Sequence, residues 1–193
     1  MIDTESPVTA AEIQTALARW LRRWFRGIVM GNVFVVGSPW ESDVIAVTQA
    51  CYWHEYEIKT TVADFRKDFA KCEYGQTRRV TRGGRLKHDV YASSDEIQRR
   101  WGRQIPKPKT FSFVVPEGML DAVEVPAHCG VLEYKRSQGK RGWLIHDKSP
   151  APTLKKPTKL DKSQIFNLAW KLSARVNWAA NYELAEDQKQ NRR

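Results

Sequence analysis

Apolar residues near the start of the chain recur every three or four positions. That spacing is typical of one face of an amphipathic helix. Thr9 stands before the stripe, and Glu12 lies three residues further on, which is the spacing of a capping box. We therefore predict a helix that begins after Thr9 and ends near Arg26. Its apolar stripe comprises Ile13, Leu17, Trp20, Leu21 and Trp24.

The following segments are β-branched, aromatic or alternating, as strands are. Residues 28–37 predict one strand with an irregularity at Gly31-Asn32, and residues 43–59 predict two strands of a hairpin. A helix that starts at Thr60-Thr61 is predicted next. Beyond it the sequence predicts strands over 89–92, 111–115, 130–134 and 142–146, and a helix over 94–101. It also predicts a short helical turn over 119–125, a Pro- and Lys-rich linker over 149–160, and a helix after Asp161.

Charged residues converge at the end of the predicted hairpin. Asp43 opens its first strand, and Glu55, Glu57 and Lys59 share one face of its second strand, because successive strand residues point to opposite sides. Burying such charges is costly unless something pairs with them. A divalent cation would do so, since magnesium takes one or two carboxylates together with water and phosphate oxygens. The alternative is a salt-bridge ladder on an exposed sheet face.

Composition indicates a globular chain with a polyanionic partner. The 193 residues carry a formal net charge of +10, with 32 Lys and Arg against 22 Asp and Glu. Such a balance favours binding to nucleic acid, although a basic protein without a defined ligand remains the simpler alternative. The positive groups cluster in a glycine-containing loop over 73–88, in a connector over 102–109 and in a predicted hairpin turn over 135–141. The loop contains Arg78, Arg79, Arg82, Arg85, Lys87 and His88, and the turn contains Lys135, Arg136, Lys140 and Arg141.

Cysteine usage and hydropathy point to a cytoplasmic protein. Cys51, Cys72 and Cys129 are odd in number and lack metal-site spacing, which favours reduced, packed thiols. No apolar run is long enough to span a bilayer. The first ten residues lack the pattern of a signal peptide.

The segment from Asp43 to Lys59 resembles the PD-(D/E)XK nuclease superfamily, in which an acid is followed after a gap by Glu-x-Lys. The run EIKTTVADFRKDFAK is similar to that of the MmcB-like DNA repair proteins. The run FSFVVPEGMLDAVEVPAHCGVLEY resembles a strand–PEG–VP–G–strand pattern of related phage and bacterial proteins. The resemblance covers roughly residues 9 to 135. One departure is that the proline usual before the first acid is not adjacent to Asp43, since Pro39 lies four residues earlier.

The resemblance implies an α/β fold with a restriction-endonuclease-like core, in which a central mixed β-sheet is flanked by helices in the order α-β-β-β-α-β. It implies Mg²⁺ or Mn²⁺ held by Asp43, Glu57 and the backbone carbonyl of Ile58, with Lys59 as a catalytic residue. Glu12 is either a further metal ligand or only a helix cap. The partner implied is the phosphate backbone of DNA, contacted by the basic residues of the loop and turn.

The expected protein is thus a Mg²⁺-dependent deoxyribonuclease, encoded by a bacterium or phage and acting in repair or DNA processing. Residues 1–148 are expected to form the nuclease core, and 149–193 a linker, a C-terminal helix and a tail packed on that core or on a second copy in a homodimer. Two alternatives stay open. One is a DNA-binding protein that keeps the fold without catalysis, and the other is a basic RNA-binding protein.

Overall fold

The computed structural model describes residues 6–35, 41–67, 107–139 and 142–175. The chain forms two compact units, residues 1–159 and residues 160–193. In the first unit the structure gives helices α1 (Ala10–Trp24) and α2 (Val62–Lys67). It also gives strands β1 (Ile28–Val33), β2 (Ser42–Val47), β3 (Trp53–Ile58), β4 (Thr110–Pro116), β5 (Cys129–Arg136) and β6 (Trp143–Ser149).

The six described strands form one mixed sheet in which their spatial order equals their order along the chain. β1 is antiparallel to β2, β2 is antiparallel to β3, and β6 is antiparallel to β5. β3, β4 and β5 run parallel, which requires crossover connections rather than tight hairpins. The predicted α/β architecture with a helix-flanked mixed sheet is therefore confirmed.

Helix α1 covers one face of the sheet. Its predicted capping box is present: the Thr9 hydroxyl accepts from the Glu12 backbone, and the Glu12 carboxylate accepts from the Thr9 N–H at 2.9 Å. Ile13, Leu17 and Leu21 are buried in a core that also contains the side chains predicted to face it, Tyr56 and Ile58. Burial, with a smaller effect of Asp147, raises the pKa of the Tyr56 phenol.

The opposite face of the sheet carries a second, aromatic core. Phe65 of α2 meets Phe113 of β4 edge to face, with ring centroids 4.5 Å apart. Phe111, Val131 and Leu120 complete this layer, and residues 117–122 approach it through successive turns rather than a helix. Both faces of the central strands are therefore covered, so polar residues on those strands are withdrawn from water.

The second unit contains helix α3, which is helical over residues 162–175. Asp161 caps it as predicted: its carboxylate accepts from the Gln164 N–H at 2.8 Å, while the Gln164 side chain accepts from the Asp161 N–H at 2.9 Å. The Ser163 hydroxyl is the largest of the influences that lower the pKa of Asp161. The packing of this segment on the core remains a prediction.

Among the described helices, none combines the length and apolar character that a bilayer crossing requires. The predictions for 68–106, which include part of the helix after Lys59, the basic loop, the strand over 89–92 and the helix over 94–101, lie outside the described residues.

Candidate active site at the ends of the central strands

The predicted acids meet where the ladder between β2 and β3 ends. Its last pair is Val44 and Tyr56. One residue beyond it, the Asp43 carboxylate accepts a hydrogen bond of 2.7 Å from the Ile58 N–H. An acidic side chain thus takes the place of a backbone carbonyl. Asp43 is thereby held beside the Glu57–Ile58 peptide, as the spacing of the motif predicts.

Helix α1 and strand β1 fix the backbone at Asp43. The Gln14 amide nitrogen donates to the Asp43 carbonyl at 2.8 Å and to the Asn32 side chain at 2.7 Å. Asn32 adopts a left-handed conformation, with φ 47°, a region that asparagine tolerates better than most residues. A Cβ on Gly31 would lie 2.9 Å from the Gln14 amide nitrogen, so glycine leaves room for this contact. The predicted irregularity at Gly31-Asn32 therefore serves to position Asp43.

Glu57 and Lys59 form a buried ion pair on the aromatic side of the sheet. The Lys59 ammonium donates to Glu57 Oε1 at 2.9 Å. The Lys59 side chain is 9% exposed and the Glu57 side chain 3%. The alternative of a ladder on an exposed face is therefore wrong. Because desolvation offsets the attraction within a buried pair, such pairs are weak contributors to net stability.

Sequence reasoning placed Glu55 on the face of Glu57 and Lys59 but assigned it no role. The structure buries Glu55 completely, and the Ser42 hydroxyl donates to its Oε1 at 2.7 Å. Ser42 and Asp43 are neighbours at the start of β2. Two side-chain hydrogen bonds, Ser42 to Glu55 and Ile58 to Asp43, therefore join this part of β2 to β3. The signal available in the sequence was the alternation Glu-x-Glu-x-Lys, which puts three charges on a face that the fold covers.

The oxygen atoms of this site fit a hard divalent cation. Asp43 and Glu57 supply carboxylates, and the Ile58 carbonyl lies in the peptide between Ile58 and Lys59. Within the described ranges, no three His, Cys, Asp or Glu side chains group as metal ligands. Two carboxylates and a backbone carbonyl are oxygen ligands of the kind that magnesium takes together with waters and substrate phosphate.

Glu12 is engaged elsewhere and does not join Asp43 and Glu57 in a ligand cluster. Besides capping α1, its carboxylate receives two hydrogen bonds from Arg136, at 3.0 Å from Nε and 2.8 Å from an Nη. These bonds are the largest cause that holds the pKa of Glu12 at about 2, against its ordinary 4.5. The capping interpretation of Glu12 is thus confirmed.

Replacing Glu12 with glutamine is expected to lower the free energy of unfolding at neutral pH by about 1 kcal/mol. Glutamine can keep the capping box, so the loss comes from the ion pair with Arg136, which is worth no more than about 1 kcal/mol because solvent screens the partly exposed pair. Because the folded-state pKa lies below the unfolded one, the stabilisation is present above about 4.5 and is lost as the pH falls towards about 2.

Urea denaturation at neutral pH and again between the two pKa values would check this expectation. The difference between wild type and Glu12→Gln should shrink at the lower pH. Glu124→Gln, on an exposed residue between β4 and β5, is the matched control and should change little. Equal effects of the two variants at neutral pH would contradict the assigned role of Glu12.

The predicted DNA-contacting residues of the 135–141 turn are only partly described. Arg136 donates to the Ser6 and Pro7 carbonyls as well as to Glu12, so its guanidinium joins the N-terminal segment to β5. Lys135 pairs with Glu117 at 2.8 Å, and both side chains are about half exposed. Lys140 and Arg141, together with Arg78, Arg79, Arg82, Arg85, Lys87 and His88, lie outside the described residues, so their contacts with DNA stay predictions.

A third buried carboxylate, Glu133 on β5, was not anticipated from the sequence. Its Oε1 accepts from Lys148 at 2.8 Å and from the Gly118 N–H at 3.1 Å, and its Oε2 lies 3.3 Å from His146 Nε2. Lys148 also pairs with Asp121. These contacts join β5, β6 and the turn after β4. The residues that make these contacts are too far apart in sequence for a local pattern to predict them.

Comparison with known proteins shows the fold alone. No family model and no curated protein matches the chain. A solved structure described as the SPO1766 protein of unknown function from Silicibacter pomeroyi is similar, with a TM-score of 0.50 and 16% identity. The match covers 87% of this chain and 86% of that one. At that identity the likeness extends to architecture, and function has to be argued from the site.

Proposed function

We propose that the protein is a metal-dependent DNA nuclease with a restriction-endonuclease-like core. The observation that carries this proposal is the meeting of Asp43, Glu57 and Lys59 at the ends of two central strands. The Asp43 carboxylate accepts a hydrogen bond from the Ile58 N–H, and the Lys59 ammonium donates one to Glu57. Three charged groups with separate structural supports converge at one end of the sheet, as a hydrolytic site requires.

Asp43, Glu57 and the Ile58 carbonyl would hold the ion, which is Mg²⁺ or Mn²⁺. Bound there, such an ion supplies an activated water and neutralises charge that grows on the phosphate. The sheet supplies rigidity: the backbone of Asp43 is tied to Gln14, and the Lys59 N–H donates to the Val114 carbonyl at 3.1 Å. Catalytic groups on strands keep their geometry better than groups on loops.

Lys59 is placed to stabilise the negative charge of the transition state. Its side-chain nitrogen lies 2.9 Å from Glu57 Oε1, beside the carboxylate that would hold the ion. This position supports an electrostatic role for Lys59 ahead of general base catalysis, and Lys59→Arg tests it, because arginine stays charged and cannot act as a base.

The test of the proposal is cleavage of DNA by the whole chain, with linear, nicked and single-stranded DNA as substrates. Cleavage is expected in Mg²⁺ or Mn²⁺ and not in chelator. Asp43→Asn keeps an oxygen that can accept from the Ile58 N–H, but it removes the charge that holds the ion. We expect it to raise the Mn²⁺ concentration for half-maximal cleavage at least about tenfold, as weakening of a metal site does.

Glu41→Gln is the matched control for Asp43→Asn, because Glu41 is an exposed acid two residues away. It should cleave with the wild-type metal requirement. Calorimetry with Mn²⁺ on the same three proteins separates binding from chemistry. Equal Mn²⁺ affinity in wild type and Asp43→Asn would remove the metal site from the proposal, and absence of cleavage on every substrate would remove the nuclease.

A DNA-binding protein without catalysis is the second candidate. The observation in its favour is that both acids already have protein partners: Asp43 accepts from Ile58, and Glu57 accepts from Lys59. With a net charge of +10, such a protein would still bind phosphates. DNA binding without cleavage in any divalent metal would select this candidate.

A further inference from the structure

Two segments that are distant in sequence are joined beside the start of β3. The Leu154 N–H donates to the Lys109 carbonyl, and the Thr158 N–H to the Lys107 carbonyl, both at 2.9 Å. The Thr158 hydroxyl accepts from the Lys107 N–H at 3.1 Å. The Lys109 N–H in turn donates to the Trp53 carbonyl at 2.7 Å. Residues 149–159 of the predicted linker are therefore part of the first unit, and residue 160 begins the second.

The backbone pairing of these two segments leaves two lysines exposed on the outer segment. Residues 155–157 lie opposite the single residue Pro108, so the outer segment bulges between its two backbone contacts. Lys156 has φ 54°, a conformation that favours glycine or asparagine over lysine. Both Lys155 and Lys156 are exposed. The bulge thus presents two ammonium groups at a position where the backbone alone would favour a smaller residue.

Tyr52 gathers two more lysines over one ring. The ammonium of Lys109 lies 5.6 Å and that of Lys159 5.0 Å from the ring centroid, both within the range of a cation–π contact. The face of the aromatic ring attracts both ammonium groups, which offsets the repulsion between their like charges. We name this surface the lysine ridge; it consists of Tyr52, Lys107, Lys109, Lys155, Lys156 and Lys159.

The charge of the ridge is not neutralised by the described part of the chain. None of its five lysines forms an ion pair with a described carboxylate, whereas Lys59, Lys67, Lys135 and Lys148 each do. Five cations brought together by backbone pairing form a surface that attracts a polyanion. The ridge lies at the opposite end of β3 from Lys59, roughly 20 Å away at about 3.3 Å per residue.

We propose that the lysine ridge is a second binding surface for the phosphate backbone of DNA, remote from the candidate active site. DNA as the partner rests on the proposed function. An anionic membrane is less suited, because peripheral helices and anchors add apolar side chains to their basic residues. In the described ranges, the large exposed hydrophobic residues Trp24, Phe34, Leu144, Phe166 and Trp170 all lie outside the ridge.

The experiment compares two triple variants of the whole chain that remove the same charge. One is Lys155→Gln, Lys156→Gln and Lys159→Gln on the ridge. The other is Arg22→Gln, Arg23→Gln and Lys67→Gln on exposed helical positions. Fluorescence anisotropy with a labelled duplex, in chelator and over a series of salt concentrations, gives the affinity and its salt dependence. The duplex is long enough to reach both surfaces.

The ridge triple is expected to weaken binding and to flatten the slope of log K against log salt by about 0.9 for each phosphate that the variant no longer neutralises. The control triple should change the slope much less. An unchanged slope in the ridge triple, equal changes in both triples, or no DNA binding by wild type would each overturn the proposal. So would loss of binding to phosphatidylserine vesicles with DNA binding intact.

Failure of the proposed function is distinguishable from failure of the ridge. With chelator present the titration reports binding alone, so a protein that never cleaves DNA can still show the ridge effect. If wild type cleaves in Mg²⁺, the ridge triple should cleave at the wild-type single-turnover rate once protein is saturating. A slower rate at saturation would assign the ridge to the active site, against the proposal.

Discussion

Lys59→Met is expected to slow single-turnover DNA cleavage by on the order of 10²–10³, the usual cost of removing one preorganised electrostatic contact to a transition state. Lys59 is 7% exposed and its ammonium lies 2.9 Å from Glu57. It therefore acts in a site largely withdrawn from water, where charge interactions are strong. Methionine keeps an unbranched side chain of similar length, so the cavity stays filled.

The same substitution carries a cost in stability, which must be measured beside the rate. Removing one partner of a buried ion pair typically costs about 3–5 kcal/mol, because the other charge is left uncompensated. We expect the double variant Glu57→Gln, Lys59→Met to recover most of that loss and to remain inactive. Recovery of stability without activity would separate folding from chemistry.

Lys59→Arg distinguishes the two roles that a catalytic lysine can have. Arginine keeps the positive charge but stays protonated at any working pH, so it can stabilise charge and cannot act as a base. If Lys59 acts electrostatically, the arginine variant should retain more activity than the methionine variant. Lys67→Met, on a side chain that is 75% exposed, is the control for the chemical change and should cut at the wild-type rate.

The opposite result would change the role assigned to Lys59. Wild-type cleavage by folded Lys59→Met would reduce Lys59 to an ion-pair partner of Glu57, and the nuclease proposal would then depend on the architecture and on the metal site alone. DNA affinity measured on the same samples guards against a trivial cause, because a transition-state contact changes the rate with little change in binding.

Local patterns predicted the parts of this structure that local physics determines. The helical period and the Thr9–Glu12 spacing predicted α1 and its cap, and both are present. Strand alternation placed Tyr56 and Ile58 in a core on one face and Glu57 with Lys59 on the other. Those inferences need only the period of each element and the preferences of its ends.

Contacts between distant segments could not be predicted in that way. Arg136 meets Glu12 across 124 positions, and Lys107 meets Thr158 across 51. Glu55 is completely buried, and no local pattern shows what covers its face of the sheet. Periodicity shows that two residues share a face, but what lies against that face is decided by the tertiary fold.

The second large effect is expected when the Ser42 hydroxyl is removed. Ser42→Ala should lower the free energy of unfolding by about 2 kcal/mol, since removing one partner of a buried hydrogen bond costs about 1–3 kcal/mol. The bond from Ser42 to Glu55 is 2.7 Å long, and both residues are fully buried. Glu55 would lose a donor in a place that water does not reach.

Ser112→Ala is the matched control, because Ser112 is a buried serine of the neighbouring strand β4 whose hydroxyl has no carboxylate partner among the described residues. A double-mutant cycle of Ser42→Ala with Glu55→Met isolates the pair, since methionine keeps an unbranched side chain of similar length without an oxygen that could accept from Ser42. Equal costs for Ser42→Ala and Ser112→Ala, or no coupling in the cycle, would contradict the assigned role.

Ser42 should also affect the proposed metal site, because it is the backbone neighbour of Asp43. The bonds Ser42–Glu55 and Asp43–Ile58 together replace the ladder beyond Val44 and Tyr56. With one of them removed, the Asp43 carboxylate loses part of its support, and outer-shell changes of this kind weaken metal sites by about 10–100-fold. Calorimetry with Mn²⁺ should therefore show weaker binding by Ser42→Ala and unchanged binding by Ser112→Ala. Wild-type Mn²⁺ affinity in a destabilised Ser42→Ala protein would mean that Ser42 supports the fold and leaves the site unaffected.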